Sequence, residues 1–364
     1  MRFVIAAGGT GGHLFPGLAV GEVLLARGHE VMLLISEKEI DAIATEGRTE
    51  FRIERLTGIG MPKLFSPAIF GFALRAWKGY HRCKALFREW QPDAVLGMGG
   101  FTSTAPILAG RSRKVPTFVH ESNAIPGRAN RLNARYVTKV LLGFSECARH
   151  FPKAPCEVTG TPLRSALTRP VDKAASLAAF GLKPGRTTLL VMGGSQGAHG
   201  INSAIGNAVP KLKAVSWQAI HLAGAADEQA MHATYAREGV PAAVAAFHHR
   251  MEEAYGASDL AIARSGAASL AELSHFGLPA ILIPYPFAAD DHQTANARIF
   301  ENAGAGVLVK ESDATPELLS EKIAALIGSP DRLAKMSRQS RSLAPDNAAE
   351  RVADVVLKSC KPNP

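Results

Sequence analysis

Glycine-rich turns that follow short apolar segments are the feature that most constrains how this chain can fold. The stretch FVIAAGGTGGH (3–13) runs from an apolar segment into four glycines, and GMGGF (97–101) and VMGGSQG (191–197) repeat the arrangement. Glycine loses more backbone freedom on folding than any other residue, so such clusters suit places where the backbone turns sharply or approaches a ligand. A strand that passes through such a turn into a helix presents backbone N–H groups that bind anions. The three stretches therefore predict strand–turn–helix units that could hold phosphate groups.

Continuously apolar segments alternate with helical segments along most of the chain, which is typical of a parallel sheet covered on both faces. The predicted strands are 2–7, 30–35, 93–98, 117–121, 139–144, 187–194, 217–224, 243–247, 259–263 and 279–285. The predicted helices are 16–28, 37–46, 72–90, 102–113, 127–135, 200–212, 228–238, 251–257, 269–276 and 291–303.

The alternation breaks near VTGTPLR (158–164), passes through a polar segment (165–186) that we predict to be irregular, and then begins again. Since 364 residues exceed one ordinary domain, the pattern predicts an α/β fold of two Rossmann-like parallel-sheet domains. The amphipathic segment 347–360 is expected to form a C-terminal helix.

The charge of the chain indicates an anionic partner. The formal net charge is +9, which suits a nucleotide, a nucleic acid or an anionic membrane surface. The sequence has no zinc-finger or RNP pattern, so nucleic acid is not expected. It also has no run of about 18–20 apolar residues that could span a bilayer.

His13 ends the first glycine stretch and allows two interpretations. This stretch is not a P-loop, because no lysine follows, and it is not a regular G-x-G-x-x-G motif. His13 could cap the following helix in a turn that binds nothing, or it could act as a base beside a bound substrate, since its pKa lies near the working pH.

Polar side chains follow several other predicted strands. HESNAIPGRAN (120–130) is predicted to lie on the same sheet edge as the first two glycine turns, where ligands bind. In the second half, Ser269 and Glu272 have the spacing of a capping box, so Glu272 could close its own helix or accept the two hydroxyls of a ribose. The run PYPFAADDHQTANA (284–297) could bind a sugar. Its DDH could instead suggest a metal, but no second ligand group at suitable spacing supports one, so no metal site is expected.

A basic and aromatic stretch lies at 61–87, where large apolar residues that include Leu64, Phe65, Ile69, Phe70, Phe72, Leu74 and Trp77 are interleaved with Lys63, Arg75, Lys78, Arg82 and Lys84. This pattern indicates an interfacial membrane element, with Phe65, Phe70 and Trp77 as its candidate apolar contacts. The alternative is a core helix with a solvated basic face.

The motifs taken in order resemble those of the MurG family of peptidoglycan glycosyltransferases. They are GGTGGH-x-x-PGLA, the GGF loop, HE-x-N-A-x-PG-x-x-N, TG-x-P-x-R, GGSQGA, RSGA-x-x-x-x-E and DDHQ-x-x-NA, and together they extend over nearly the whole chain. The resemblance implies the GT-B fold, in which two Rossmann-like domains face each other across a cleft and a C-terminal helix returns to the N-terminal domain. Residues 1–162, with a helix at about 345–364, would bind the acceptor and the membrane, and residues 163–344 would bind the donor.

The resemblance also implies an activity. The enzyme would move N-acetylglucosamine (GlcNAc) from UDP-GlcNAc to the C4 hydroxyl of undecaprenyl-pyrophosphoryl-MurNAc-pentapeptide, with inversion and without a metal or other cofactor. It would act as a peripheral protein at the cytoplasmic face of the inner membrane, beside other proteins of cell-wall synthesis. A UDP-GlcNAc epimerase of the same architecture, a nicotinamide-dependent oxidoreductase and a nucleotide- or membrane-binding module without enzymatic activity are the rival interpretations.

The resemblance assigns roles to matched positions. His13 would be the base that takes the acceptor proton, and Glu272 would bind the ribose hydroxyls. Ser195 would lie near the diphosphate, and a backbone amide at His248 would meet the uracil. The full set that would bind UDP-GlcNAc is Thr10, Gly11, Gly12, Asn123, Arg164, Ser195, His248, Ala267, Ala268, Ser269, Leu270, Ala271, Glu272, His292 and Gln293.

Overall fold

A computed structural model describes nearly the whole chain, which divides into two compact units. The first unit is Met1–Ser165 together with Pro345–Pro364, and the second is Ala166–Ala344. The described residues are 1–57, 67–194, 197–345 and 347–360.

The first unit is a parallel sheet with helices on both faces. Its described strands are β1 (Arg2–Ala6), β2 (Glu30–Ser36), β3 (Arg52–Leu56), β4 (Ala94–Gly97), β5 (Thr117–Glu121), β6 (Lys139–Leu142) and β7 (Cys156–Val158). Its helices up to the boundary are α1 (Gly11–Ala26), α2 (Glu39–Thr45), α3 (Ala68–Trp90), α4 (Thr104–Ser112) and α5 (Arg128–Asn133). The strand order is β3-β2-β1-β4-β5-β6-β7, so the direction of winding reverses between β1 and β4.

The second unit repeats this plan. Its described strands are β8 (Thr187–Met192), β9 (Trp217–Leu222), β10 (Ala242–Ala245), β11 (Leu260–Ala263), β12 (Ala280–Leu282) and β13 (Gly306–Leu308). Its helices are α6 (Lys173–Ala179), α7 (His199–Ala208), α8 (Glu228–Arg237), α9 (Met251–Ala257), α10 (Ala267–Phe276), α11 (His292–Asn302), α12 (Pro316–Ile327) and α13 (Pro330–Ser342). The order β10-β9-β8-β11-β12-β13 is that of a Rossmann sheet, and its winding reverses between β8 and β11.

Burial on both faces explains the continuously apolar strands. In β1, Phe3 and Ile5 pack into the cluster that includes α1, whereas Val4 packs on the opposite face with Cys83 and Phe87 of α3. A strand with two covered faces has no position for a polar side chain, so its sequence does not alternate.

The chain returns to the first unit through α14 (Ala348–Cys360). Val352 and Val356 of this helix are buried in the same cluster as Leu18 of α1. A Cβ on Gly160 would lie 2.7 Å from Pro345 Cγ, so the TGTP turn contacts the segment that leads into α14. The expected return of the C-terminal helix to the N-terminal domain is confirmed.

Three edge strands and three helices are the main corrections to the predicted elements, and the helices that were not predicted are α6, α12 and α13. The strands β3, β7 and β13 were not predicted, and each lies at a sheet edge, where one side is unpaired and a continuous apolar run is not needed. The segment 165–186, predicted to be irregular, contains α6, whose N-cap Asp172 accepts a hydrogen bond from the Ala175 N–H at 2.8 Å.

Candidate active site

Two glycine-rich turns of the first unit meet where the strand order reverses. One follows β1 and the other follows β4, and these strands are hydrogen-bonded neighbours. In parallel α/β sheets, ligands bind outside the carboxyl ends of the strands at this reversal. The second unit has the same arrangement after β8 and β11.

The turn after β1 requires glycine for two different reasons. A Cβ on Gly8 would lie 2.3 Å from the Ser36 nitrogen, so no side chain fits there. Gly9 has φ +108°, a conformation that other residues rarely adopt. Helix α1 then begins at Gly11 with Thr10 as its N-cap. The helix starts inside the glycine run, five residues earlier than predicted.

His13 is not the cap of α1, because it lies within the first turn of the helix. Its Nδ1 is 3.2 Å from the Thr10 hydroxyl, and its ring lies against the second glycine turn. A Cβ on Gly99 would stand 2.7 Å from the His13 Nε2, so Gly99 leaves the space that this ring fills. His13 therefore joins the two glycine turns of the first unit.

The environment of His13 keeps its ring neutral. Burial of the ring lowers its pKa from the ordinary 6.5, and the charges of Glu121 and Asp41 oppose this shift only in part, while Lys38 adds to it. The positive end of a helix also disfavours an imidazolium in the first turn. A neutral imidazole at this place can accept a proton.

Glu121, at the end of β5, organises the loop that carries Asn123. It is buried, and its Oε1 accepts hydrogen bonds from the Asn123 N–H at 2.9 Å and side-chain amide at 3.0 Å. Its Oε2 accepts hydrogen bonds from the Gly127 N–H at 3.0 Å and the Asn130 amide at 2.8 Å. The carboxylate thereby holds Asn123 at the carboxyl edge of the sheet.

Arg164 belongs to the first unit. Its guanidinium lies over the ring of Phe15 in α1, with 4.6 Å between Cζ and the ring centroid. Its Nε is buried and has no hydrogen-bond partner among the described residues.

The glycine turn after β8 is tightly packed on both sides. A Cβ on Gly193 would lie 2.3 Å from the Ala198 Cβ. Gly197 has φ +76°, and a Cβ there would lie 2.5 Å from the Ala223 carbonyl oxygen. Helix α7 begins immediately afterwards at His199. Ser195, the predicted diphosphate ligand, lies outside the described residues.

Glu272 does not close a capping box. Helix α10 begins at Ala267 with Gly266 as its N-cap, so Ser269 lies inside the helix and cannot cap it. The Glu272 carboxylate instead accepts a hydrogen bond from the Tyr255 hydroxyl at 2.5 Å. Tyr255 is buried, and its ring stacks on Phe276 with 5.1 Å between centroids.

The other residues predicted on α10 differ in how far their side chains are exposed to a ligand. The side chains of Ala267 and Leu270 are buried, whereas Ala268, Ser269 and Ala271 are partly exposed. The first turn of a helix also leaves N–H groups without intrahelical partners.

The three remaining predicted residues lie at the ends of two other strands. After β10, the His248 Nε2 lies 3.2 Å from Glu253 Oε2. After β12, the Gln293 side-chain oxygen accepts a hydrogen bond from the Tyr285 N–H at 2.9 Å. His292 donates from Nδ1 to the Ala289 carbonyl at 2.8 Å, so its Nε2 can accept a hydrogen bond.

Two family models match the two halves of the chain. Residues 3–142 match the glycosyltransferase family 28 N-terminal domain, and residues 188–354 match the glycosyltransferase family 28 C-terminal domain. The chain belongs to glycosyltransferase family 28.

Individual relatives match this chain over nearly its whole length. A protein of Geotalea uraniireducens (strain Rf4) is 38% identical over 98% of each chain; it is named UDP-N-acetylglucosamine--N-acetylmuramyl-(pentapeptide) pyrophosphoryl-undecaprenol N-acetylglucosamine transferase. The crystal structure of Acinetobacter baumannii MurG superposes with a TM-score of 0.80 at 27% identity, covering 98% of this chain and 99% of that one. A UDP-GlcNAc 2-epimerase from Neisseria meningitidis shares the fold, with a TM-score of 0.67 at 14% identity and coverage of 98% and 100%.

Three side chains beside the candidate site were not predicted. They are Asp41, behind the first glycine turn; Tyr255, which binds Glu272; and Arg264, at the end of β11. Arg264 donates hydrogen bonds at 3.1 Å to the carbonyls of Ile283 and Pro284, and forms an ion pair with Glu311. The arginine of the RSGA motif was visible in the sequence, whereas nothing near Asp41 or Tyr255 in the sequence marks either residue.

Helix α3 of the family 28 chain exposes an apolar stripe. Phe70 is 79% exposed, Leu74 54% and Trp77 59%, at spacings that place them on one helix face. Cys83 and Phe87 of the same helix are buried. Phe65 lies outside the described residues. Within the described ranges, no helix is both long and apolar enough to cross a membrane.

Proposed function

We propose that the chain is an inverting glycosyltransferase that moves GlcNAc from UDP-GlcNAc to the C4 hydroxyl of undecaprenyl-pyrophosphoryl-MurNAc-pentapeptide. The observation that carries this proposal is the end-to-end likeness to relatives whose printed name describes this transfer. The glycine turns support it, because they place helix N-termini at the strand reversals of both sheets, where a nucleotide diphosphate can bind.

The second unit is proposed to bind the donor. The turn after β8, with Ser195, would bind the diphosphate, and the first turns of α10 would line the nucleoside. Glu272 would accept the ribose hydroxyls, with its carboxylate oriented by the Tyr255 hydroxyl. His292 and Gln293 would meet the sugar hydroxyls, and a backbone amide at His248 would meet the uracil edge.

The first unit is proposed to bind the acceptor. The acceptor hydroxyl attacks C1 of GlcNAc, the bond from C1 to the diphosphate oxygen breaks, and His13 takes the hydroxyl proton. Negative charge develops on the leaving UDP, and fixed N–H groups and helix dipoles can stabilise it as it forms. The proposed reaction therefore uses no metal or other cofactor. Asn123 would contact the donor sugar, with Thr10, Gly11 and Gly12 beside it, and Arg164 would contact the nucleotide.

Incubation with UDP-GlcNAc and a short-chain analogue of the lipid acceptor tests the proposal. We expect UDP release that depends on the acceptor, together with a disaccharide product whose new linkage is inverted, measured by a coupled UDP assay and by NMR. Release of free ManNAc or its UDP derivative without acceptor would identify the epimerase alternative, whose fold this chain shares. If the protein binds UDP-GlcNAc but shows no turnover under any condition, it is a binding module without enzymatic activity.

We also propose that α3 brings the enzyme to the cytoplasmic face of the inner membrane, where its lipid-linked acceptor would lie. The exposed stripe of Phe70, Leu74 and Trp77 lies beside the exposed basic residues Arg75 and Lys78. An apolar stripe flanked by cations is typical of a helix that lies in the interface of an anionic membrane.

The double replacement Phe70→Ser and Trp77→Ser should weaken binding to vesicles that contain phosphatidylglycerol by roughly tenfold or more, since each buried aromatic side chain contributes about 1.5–3 kcal/mol. Vesicle sedimentation measures this binding, and 0.5 M salt should also weaken the binding of the wild-type protein to these vesicles. Ile43→Ser is the matched control, because Ile43 is 64% exposed on α2. Equal loss in the control and the double variant would count against a role for α3.

A further inference from the structure

Asp41, a side chain with no part in the proposed chemistry, holds the turn after β1. Asp41 is fully buried, and its Oδ2 accepts hydrogen bonds from the Gly9 N–H at 2.9 Å, the Ser36 N–H at 2.9 Å and the Ser36 hydroxyl at 2.5 Å. Its Oδ1 is buried and has no hydrogen-bond partner among the residues that the structure describes. A buried carboxylate with an unpaired oxygen costs folding free energy, so stability alone does not explain it.

Two other side chains donate hydrogen bonds to the backbone carbonyls of the same turn. The Lys38 ammonium donates to the Gly9 carbonyl at 2.7 Å, and the Thr102 hydroxyl donates to the Gly8 carbonyl at 3.1 Å. Gly8 packs directly against β2. The backbone that leads into α1 and His13 is thus fixed before any ligand binds, as a site that acts through backbone N–H groups requires.

We propose that Asp41 is a positioning residue for the transfer reaction, which fixes the Gly8–Gly9 turn in front of His13 and places its carboxylate near that ring. This inference rests on the proposed function, because it assumes that His13 takes the acceptor proton.

The charges around His13 determine in which direction replacement of Asp41 shifts the pKa of His13. Asp41 on α2 and Glu121 on β5 raise the pKa of His13, Lys38 lowers it, and burial of the ring lowers it most. The neighbouring His120 is fully buried, and burial lowers its pKa too, so it adds no lasting charge. Removing the Asp41 carboxylate must therefore lower the pKa of His13 further and weaken it as a base.

Asp41→Asn isolates the charge, since asparagine has the same shape. Its amide oxygen can accept the three hydrogen bonds, and its NH₂ group replaces the oxygen that has no described partner. Ser36→Ala is the matched control, because it removes one hydrogen bond and leaves the charge.

We expect Asp41→Asn to move the acid limb of the pH profile of kcat/KM to lower pH and to lower kcat by roughly three- to tenfold. Ser36→Ala should leave the limb in place, and the dissociation constant of UDP should be unchanged in both variants. An acid limb in Asp41→Asn that coincides with that of the wild type would overturn the proposal.

An NMR titration of the His13 ring tests the same point without activity, with its resonances assigned by their loss in His13→Gln. The midpoint should lie at lower pH in Asp41→Asn than in the wild type, and equal midpoints would overturn the proposal. If the wild type transfers no GlcNAc, the proposed function fails, whereas this titration still shows whether the Asp41 carboxylate acts on the His13 ring. Should Asp41→Asn not fold, Asp41→Ser removes the same charge with a smaller side chain and must move the midpoint in the same direction, and an unmoved midpoint there would overturn the proposal.

Discussion

Replacement of His13 by alanine is expected to lower kcat for GlcNAc transfer by about 10²- to 10⁴-fold, the usual contribution of a general base. The dissociation constant of UDP should not change, because the His13 ring is proposed to contact the acceptor hydroxyl and not the nucleotide. Steady-state kinetics with a soluble acceptor analogue and calorimetry with UDP measure the two quantities. Added imidazole should restore part of the activity of the alanine variant, since it can enter the space that the ring leaves beside Gly99.

The wild-type pH profile adds a second test of the base. Because burial places the pKa of His13 below 6.5, the neutral ring is the main form at pH 7, and kcat/KM should fall only as the pH drops through that lowered pKa. His232→Ala is the control, since His232 is exposed on α8. A kcat for His13→Ala within about threefold of the wild-type value, about 0.6 kcal/mol of barrier, would show that another group is the base.

Replacement of Glu272 by alanine is expected to weaken UDP binding by roughly 10- to 150-fold. Hydrogen bonds to a charged group contribute about 1.5–3 kcal/mol, and each 1.4 kcal/mol is a tenfold change in affinity. The variant should also lose the ability to distinguish UDP from 2′-deoxy-UDP, because the missing carboxylate is proposed to read the ribose. Calorimetry with both nucleotides measures this loss.

Tyr255→Phe tests how much the orientation of the Glu272 carboxylate matters, because the carboxylate itself stays in place. It removes the hydroxyl that donates to Glu272 and keeps the ring that stacks on Phe276, so we expect a weakening of about 1 kcal/mol, or roughly fivefold. Glu321→Ala, at an exposed position on α12, is the control. If Glu272→Ala and the control bind UDP equally well, the ribose assignment is wrong.

Part of the candidate site could be read from single stretches of sequence. The glycine turns were predictable because a positive φ or a close backbone approach admits almost no other residue, as at Gly9 and Gly99. The interpretation of Ser269–Glu272 as a capping box was wrong, because a local pattern cannot tell where a helix begins. Gly266 caps α10, which begins at Ala267, two residues ahead of the predicted start at 269. Asp41 could not be predicted, because its partner Gly9, 32 residues away in the chain, is brought to it by the pairing of β1 with β2.

The parallel α/β class, the strand–turn–helix units and the family could be predicted from the sequence, since each depends on local periodicity, on glycine at constrained positions or on ordered motifs. The return of the C-terminal helix followed only from the resemblance to the family. Which side chains act on one another could be seen only in the folded structure. His13 lies on Gly99, Glu121 holds Asn123, and Tyr255 orients Glu272. The contacts of His13 and Glu272 join residues that are far apart in the chain, and strand order and helix start positions create them. Those positions are set by the burial of whole sheets and helices, which no short stretch of sequence contains.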